Sequence, residues 1–369
     1  MQEKWIADRM HSIELSGIRR VFALARTLKD PVNLSIGQPH FDVPERIKAA
    51  AKEAIDRGLN GYTPTQGIPD LHERIQTDVQ KRYRQPERTA MVTSGTSGGL
   101  LLSLLVSVNP GDEVIVFDPY FVSYPHMISM AGGRMVVVDT HPSFCIDVDR
   151  VRAAITPRTK AIIVNSPSNP SGTVVDRQTL QALAELAREA RVILISDEIY
   201  HAFCYEEPFC SPAEFSDDVL VVDGFGKTYG MTGWRMGFAH GPKRLMDEMI
   251  KLQQFTFVCA PSMAQHATLA AWDFDPTPLV DEYRRKRDRI CAGLRSAYEF
   301  VTPGGAFYLY VRAPKGSGTA FVEQAIANGL LIIPGTTFSR HDSHFRISYA
   351  ATDETLDRGI EILQRLARL

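Results

Sequence analysis

A lysine and an arginine, Lys227 and Arg235, lie in one glycine-rich segment of the chain, residues 223–237. Glycine lets the backbone approach a bound group closely. A lysine in such a segment can act as a nucleophile toward a carbonyl group, although a loop lysine is more often solvated surface. The segment alone leaves both interpretations open, so the other polar residues of the chain have to be considered with it.

Two further polar sites follow apolar runs. Asp197 comes after the run 192–195, and a carboxylate at the end of a buried strand is costly unless it meets a cation, so we expect a charged partner. Gly95, Thr96 and Ser97 follow Met91-Val92 and precede an apolar helix pattern over 100–106. Such residues offer backbone N–H groups and hydroxyls to a phosphate, or they form a plain turn of small residues.

An asparagine and an arginine complete this set. Asn169 lies in the proline-containing turn 165–172, after the apolar run 161–164, and a rigid turn by itself would explain that composition. Arg346 interrupts the apolar strand pattern 345–348. It indicates either a bidentate clamp for a carboxylate or the outward-facing residue of an edge strand.

The elements that position these residues alternate between strands and helices. The runs 114–117, 135–138, 161–164, 192–195 and 219–222 are apolar almost throughout, as strands buried on both faces of a parallel sheet are. Residues 177–190 show the apolar spacing of an amphipathic helix. We therefore predict an α/β fold, followed by a smaller α+β lobe with a helix over 279–298 and strands over 307–311, 331–333 and 345–348.

Length and composition exclude several classes of protein. A chain of 369 residues is expected to form two packed units or one large domain with a smaller lobe. The 41 basic and 43 acidic residues form no long run of one sign, so no nucleic-acid arm is indicated. The five cysteines are scattered without a CxxC pair, which suggests neither a disulfide framework nor a metal site. No leader or membrane span is predicted, and we expect a cytoplasmic protein.

Taken in this order, the segments resemble the class I/II, aspartate-aminotransferase-like family of enzymes that depend on pyridoxal 5′-phosphate (PLP). The similarity runs from Ser16-Gly17-Ile18-Arg19 to Phe345-Arg346, and its most specific parts are residues 226–237 and 165–172. The resemblance implies the fold type I architecture, with a large PLP-binding domain over 41–280. A small domain, comprising 1–40 with an N-terminal arm and 281–369, would complete the chain.

The resemblance also implies roles for single residues. Lys227 would hold PLP as a Schiff base and act as catalytic base, Asp197 would pair with the pyridinium nitrogen, and Tyr200 would bond the phenolic oxygen together with Asn169. The phosphate would bind Gly95, Thr96, Ser97, Arg235 and, from a neighbouring subunit of a homodimer, Tyr62. Phe121 would stack on the cofactor, and Gly37, Asn169 and Arg346 would bind the substrate. One departure is Gly224-Phe225-Gly226-Lys227, where many relatives have S-x-S-K.

By this resemblance the chain would move an amino group between an L-amino acid and a 2-oxo acid through a ping-pong mechanism. A lyase of the same fold, such as a carbon–sulfur β-lyase, remains an alternative because it begins with the same carbanion. A PLP-binding regulator is a minor one, since the chain shows no DNA-binding module. The amino donor stays open, and five rings form either an aromatic pocket or ordinary core: Tyr120, Phe121, Tyr124, Phe255 and Phe257.

Overall fold

The computed structural model describes residues 5–14, 17 and 28–368. Ser16, Ile18 and Arg19, where the family resemblance begins, lie outside these residues, as does most of the predicted N-terminal arm. Among the described residues, no helix is both long enough and apolar enough to cross a membrane.

A seven-stranded sheet forms the centre of the fold, in the order β2-β8-β7-β6-β5-β3-β4. Every neighbouring pair is parallel except those of β8, which runs antiparallel to both β2 and β7. The mostly parallel sheet predicted from the sequence is therefore confirmed. The strands are β1 Val32–Asn33, β2 Arg88–Ser94, β3 Glu113–Asp118, β4 Arg134–Asp139, β5 Thr159–Asn165, β6 Ile193–Asp197, β7 Leu220–Gly224, β8 Met236–Pro242, β9 Tyr308–Arg312, β10 Leu330–Leu331, β11 Ile333–Pro334 and β12 His344–Ser348.

Helices cover the sheet and bury its apolar residues. The helix over 177–190 forms as predicted: the Asp176 side chain caps it by accepting from the Thr179 N–H, and its Leu180 and Leu183 are fully buried. The α-helices are α1 Glu45–Asp56, α2 Pro69–Tyr83, α3 Gly95–Ser107, α4 Tyr124–Met130, α5 Val148–Ala154, α6 Arg177–Ala190, α7 Lys243–Gln253, α8 Ser262–Trp272, α9 Thr277–Leu294, α10 Gly318–Ala327 and α11 Asp353–Leu366, with 3₁₀ turns at Asp8–Ser12, Pro212–Glu214, Thr232–Trp234 and Gly335–Thr337.

Two smaller sheets are built from the ends of the chain. Strands β11, β12 and β9 form an antiparallel sheet with β12 in the middle. Strand β1 pairs in parallel with β10, so that Val32 lies opposite Leu330. Residues from both termini therefore belong to the same part of the molecule. The helix predicted over 279–298 forms over Thr277–Leu294 (α9), so both of its ends lie closer to the N-terminus than expected.

Candidate active site

One cavity of about 270 Å³ lies beyond the carboxyl ends of the central strands. Ligands collect at this edge in open α/β sheets, because the loops after successive strands converge there. Every site residue predicted from the sequence lines this cavity except Tyr62, whose ring is 89% exposed. The predicted residues that line it are Gly37, Gly95, Thr96, Ser97, Phe121, Asn169, Asp197, Tyr200, Lys227, Arg235 and Arg346.

The first turn of α3 and Arg235 form the anion-binding part of the cavity. The helix begins at Gly95, so the expectation that it starts near Leu100 is wrong, and the small residues are its first turn. The free N–H groups of that turn and the helix dipole favour a phosphate. A Cβ atom on Gly95 would lie only 2.6 Å from Arg235 Nη2, and glycine therefore lets the guanidinium approach this turn.

Gly224 stands where many members of the resembled family have the first serine of S-x-S-K, and the structure leaves little room for a side chain there. A Cβ atom at this position would lie 2.9 Å from Thr96 Oγ1 and 3.0 Å from the Met236 carbonyl oxygen. A serine there would require the Thr96 side chain or the backbone of β8 to shift. Position 226, the second serine of the S-x-S-K pattern, is glycine as well, so this segment offers no serine hydroxyl before Lys227.

Asp197 places a buried carboxylate at the end of β6. The residue is 3% exposed, and Tyr124 donates a hydrogen bond of 2.7 Å to its Oδ2. Burial raises the pKa of Asp197 to about 6, against the opposing effect of the Tyr124 hydroxyl. Among residues 5–14, 17 and 28–368 no ion pair includes Asp197, and the positive charge that lowers its pKa is that of Lys227 in the same cavity.

The Asn165 side chain links the end of β6, at Asp197, to the turn that carries Asn169. Its Nδ2 donates to the Asp197 carbonyl oxygen at 2.9 Å, and its Oδ1 accepts from the Asn169 N–H at 2.9 Å. Asn165 is also the β5 partner of Asp197 in the sheet. This side chain fixes the turn that carries Asn169 relative to the carboxylate.

Lys227 reaches the same cavity from the loop after β7. Its Nζ donates a hydrogen bond to the Gly37 carbonyl oxygen and lies 5.7 Å from the centre of the Tyr200 ring. Burial, followed by the positive charges of Arg346 and Arg235, lowers the pKa of Lys227 to about 8. An amine with this pKa is partly unprotonated near neutral pH, which a nucleophile or a general base requires.

Two tyrosines with roles in the site were not predicted. Tyr308 lines the cavity, and its hydroxyl lies 2.7 Å from that of Tyr200. Burial raises the pKa of Tyr200 well above its usual value, so its hydroxyl keeps its proton. Tyr124 was predicted only as a possible pocket ring. The sequence offers one weak signal for Tyr308, a tyrosine in the apolar strand pattern that precedes Arg346.

Arg346 lies in the middle strand of the three-stranded sheet and is 1% exposed. The edge-strand interpretation of this residue is therefore wrong. Its Nη1 donates to Asn169 Oδ1 at 2.9 Å and its Nη2 to the Ser35 carbonyl oxygen at 2.8 Å. Its Nε is buried without a partner in the described structure. A buried guanidinium with no carboxylate beside it is suited to bind an anionic ligand.

The aromatic pocket considered from the sequence is largely absent from this cavity. Phe121 is the one ring of the five considered that lines it. Tyr124 is turned toward Asp197, and Phe255 is 82% exposed on the surface. The other rings that line the cavity are Tyr200 and Tyr308, and its aliphatic lining is formed by Leu100, Ile199 and Met236.

The donor set fits PLP. A phosphate matches the α3 N-terminus and Arg235, and a protonated ring nitrogen would supply the directly paired cation that Asp197 lacks among the described residues. The close packing at Gly95, where a Cβ atom has no room beside Arg235, is typical of a backbone cradle for an anion.

The class I and II aminotransferase family model matches residues 29–363. A probable aspartate aminotransferase of Methanocaldococcus jannaschii is 37% identical over 98% of this chain and 99% of its own. An aspartate/prephenate aminotransferase of Thermus thermophilus is 39% identical over 94% of both chains. The crystal structure of an aspartate aminotransferase from Thermotoga maritima is 31% identical and covers 99% of this chain and 100% of its own, with a TM-score of 0.94.

Proposed function

Because this chain belongs to the class I and II aminotransferases and is a PLP-dependent transaminase, we propose that the cavity around Lys227 is its active site. The observation that carries the proposal is the convergence of Lys227, Asp197, Arg235 and Arg346 on one cavity. Each of these charges matches one charged or reactive group of the cofactor or of an amino acid. The members of this family use PLP, and the same cofactor is proposed for this chain.

Cofactor binding would divide among four groups of the chain. Arg235 and the first turn of α3 would bind the phosphate, and Lys227 would form the covalent link. Asp197 would keep a proton on the ring nitrogen, because an adjacent carboxylate favours the charged form of that nitrogen. The hydroxyl of Tyr200, held by Tyr308, would donate to the phenolic oxygen. When bound, PLP supplies an electron sink for the charge that develops at the substrate Cα.

Catalysis would then depend on positioning and on one proton transfer. Arg346 would bind the α-carboxylate, with Asn169 fixing the orientation of its guanidinium, and so hold the Cα–H bond in place for cleavage. The Lys227 amine, once released by the incoming substrate amine, would take the proton from Cα and deliver it to C4′ of the cofactor. The predicted ping-pong transfer of the amino group between an amino acid and a 2-oxo acid follows from these roles.

We also propose a homodimer and the two domains expected from the sequence. The exposed Tyr62 ring, which is absent from this chain's own cavity, supports a role in the site of a second subunit. The pairing of β1 with β10 supports placing residues 1–40 with 281–369 in a small domain, apart from the large domain over 41–280. The cytoplasmic location stays a prediction.

Which amino acid the site accepts as amino donor depends on the charged groups around the substrate side chain. The lining cations of the described cavity are Lys227, Arg235 and Arg346, and the proposal gives each of them a role. Aspartate, which the names of the relatives mention, would bring a second carboxylate that needs a further cation. Assays with aspartate, alanine and phenylalanine as donors therefore separate an acidic from an apolar side-chain preference.

The experiment is an absorbance spectrum of the purified protein with PLP, for the native chain and Lys227→Ala. The native chain should show the visible band of covalently bound cofactor, and a single addition of a donor without acceptor should convert it to a near-ultraviolet band. Lys227→Ala should lose the visible band, and transamination should fall by at least roughly 10²- to 10⁴-fold, the usual contribution of a general base.

Lys243→Ala serves as the matched control, because Lys243 is an exposed lysine that pairs with Asp247 on α7. It should behave as the native chain does. Native-like turnover by Lys227→Ala would eliminate Lys227 as the catalytic residue. Release of pyruvate and ammonia from a donor without an acceptor would instead identify the lyase reaction.

A further inference from the structure

Two carboxylates and two imidazoles meet at the far edge of the central sheet, outside the proposed active site. Asp118 and Asp139 are register partners at the ends of β3 and β4, and side chains of register partners project to the same face of a sheet. His141 follows β4, and His341 comes from the segment just before β12. None of these four residues lines the cavity around Lys227.

Three of the four, Asp139, His141 and His341, have ligand atoms that all lie within 4.8 Å of one another, and Asp118 lies beside them. His141 Nδ1 lies 2.8 Å from Asp139 Oδ1 and 3.8 Å from Asp118 Oδ1, and His341 Nε2 lies 3.2 Å from Asp139 Oδ2. Tetrahedral zinc with bonds of about 2.0–2.1 Å places its ligand atoms about 3.3 Å apart. The observed distances lie on both sides of this value.

A second observation points to a cation at the same place. Asp118 is 1% exposed, and its Oδ2 accepts the Arg340 N–H at 2.9 Å. Its Oδ1, on the side of His141, is buried and has no hydrogen-bond partner within the described structure. A buried carboxylate oxygen without a partner is costly, and a cation bound beside His141 would offset that cost.

We propose that Asp139, His141 and His341 form a binding site for one divalent transition-metal ion, with Zn²⁺ the best match, and that the buried Asp118 carboxylate adds negative charge beside it. Imidazole nitrogens and carboxylate oxygens are ordinary zinc ligands, and three of them leave one tetrahedral position for a water molecule. This site departs from the expectation, drawn from the cysteine spacing, that the chain has no metal. It is independent of the proposed transamination chemistry.

The ion would tie the end of β4 to the segment that leads to Arg346. Asp139 is the last residue of β4 in the central sheet, and His341 lies five residues before Arg346 on β12. Bound metal would therefore cross-link the central sheet to the strand of the carboxylate clamp. Its effect is on the stability of this connection, because no ligand of the ion touches the cavity.

The test uses the PLP-loaded protein after treatment with a chelator, titrated with Zn²⁺ and, separately, with Co²⁺. We expect one equivalent of either metal per chain, a visible Co²⁺ spectrum of a tetrahedral site, and a higher melting temperature with Zn²⁺. His341→Ala and Asp139→Asn should each weaken binding at least roughly 10-fold, since even outer-shell changes cost 10- to 100-fold. Both replaced residues are partly exposed, so folding should persist.

His266→Ala is the control, because it removes a partly buried histidine on α8 that is not one of the three ligands. This variant should bind Zn²⁺ as the native chain does. Two results would overturn the proposal. One is a native chain that takes up no stoichiometric metal, and the other is metal binding that both ligand variants retain at native affinity.

Discussion

Replacement of Arg346 by lysine tests whether the geometry of the guanidinium, rather than its charge alone, binds the substrate. In the folded chain Nη1 and Nη2 already donate to Asn169 and to the Ser35 carbonyl oxygen, at 2.9 and 2.8 Å. The remaining N–H groups, including that of the buried Nε, are free for a carboxylate. Lysine keeps the charge but concentrates its donors on one nitrogen, so it cannot serve the two fixed acceptors and a bidentate ligand together.

The expected loss follows from the number of hydrogen bonds removed. Lysine can still attract the carboxylate, but at least one charge-assisted hydrogen bond is lost, which is worth about 1.5–3 kcal/mol. Since about 1.4 kcal/mol corresponds to a factor of ten in rate, kcat/KM for the amino donor should fall roughly 10- to 150-fold. A loss confined to KM would mean that the bond is equally strong in the bound substrate and in the transition state.

The assay is the single-turnover half-reaction with an amino donor and, for comparison, with the amine that lacks the carboxylate. Arg346→Lys should lower the preference for the amino acid over the amine. Arg312→Lys is the matched control, because Arg312 ends the neighbouring strand β9 and its side chain is 61% exposed. A kcat/KM for Arg346→Lys within about threefold of native, when the expectation is at least tenfold, would refute the assignment of the clamp.

Two further predictions concern the other charges of the site. Asp197→Asn keeps the shape of the side chain but removes a buried pairing charge worth about 3–5 kcal/mol, so kcat should fall roughly 10²- to 10⁴-fold. In the cofactor-free protein at pH 7, the same substitution should raise the melting temperature. The pKa of Asp197 is about 6 in the folded chain, above its usual value of 3.8, so the ionised carboxylate lowers the free energy of unfolding at pH 7, and asparagine removes this cost. An unchanged kcat would contradict the pairing with the cofactor ring. Recombination of the cofactor-free chain with PLP should accelerate with pH and reach half its maximum near pH 8, the pKa of Lys227. A recombination midpoint near pH 10.5 would instead show that the pKa of Lys227 is unperturbed. Because the pKa of this amine is lower in the folded chain than in the unfolded chain, its contribution to the free energy of unfolding should rise between pH 8 and 10.5.

The central sheet was largely predictable because its strands are continuous apolar runs that only a doubly covered sheet can bury. Strand β8 was missed: Gly237, Gly241 and Pro242 give it the composition of a loop. It forms nonetheless because β2 and β7 flank it and pair with its backbone along both edges. Local composition could not reveal that pairing.

The site was predictable to the extent that its residues follow the ends of strands or match family motifs. The hydrogen bonds of Tyr308 and Tyr124 could not be predicted, because each is made to a residue distant in sequence. Tyr308 contacts Tyr200, and Tyr124 contacts Asp197. The three proposed metal ligands show the same limit. Asp139 and His341 are separated by more than half of the chain, and only the fold brings them to one edge.

The pairing of Val32 with Leu330 has a consequence for the order in which the protein matures on the ribosome. Contacts between distant parts of a chain form late, because the intervening segment has to be made and ordered first. The strands of the central sheet, between Arg88 and Pro242, all emerge before the final strand that carries Arg346. The first turn of α3 and Lys227 are therefore synthesised well before Arg346, and a chain that ends before β12 would lack the arginine that we propose as the carboxylate clamp.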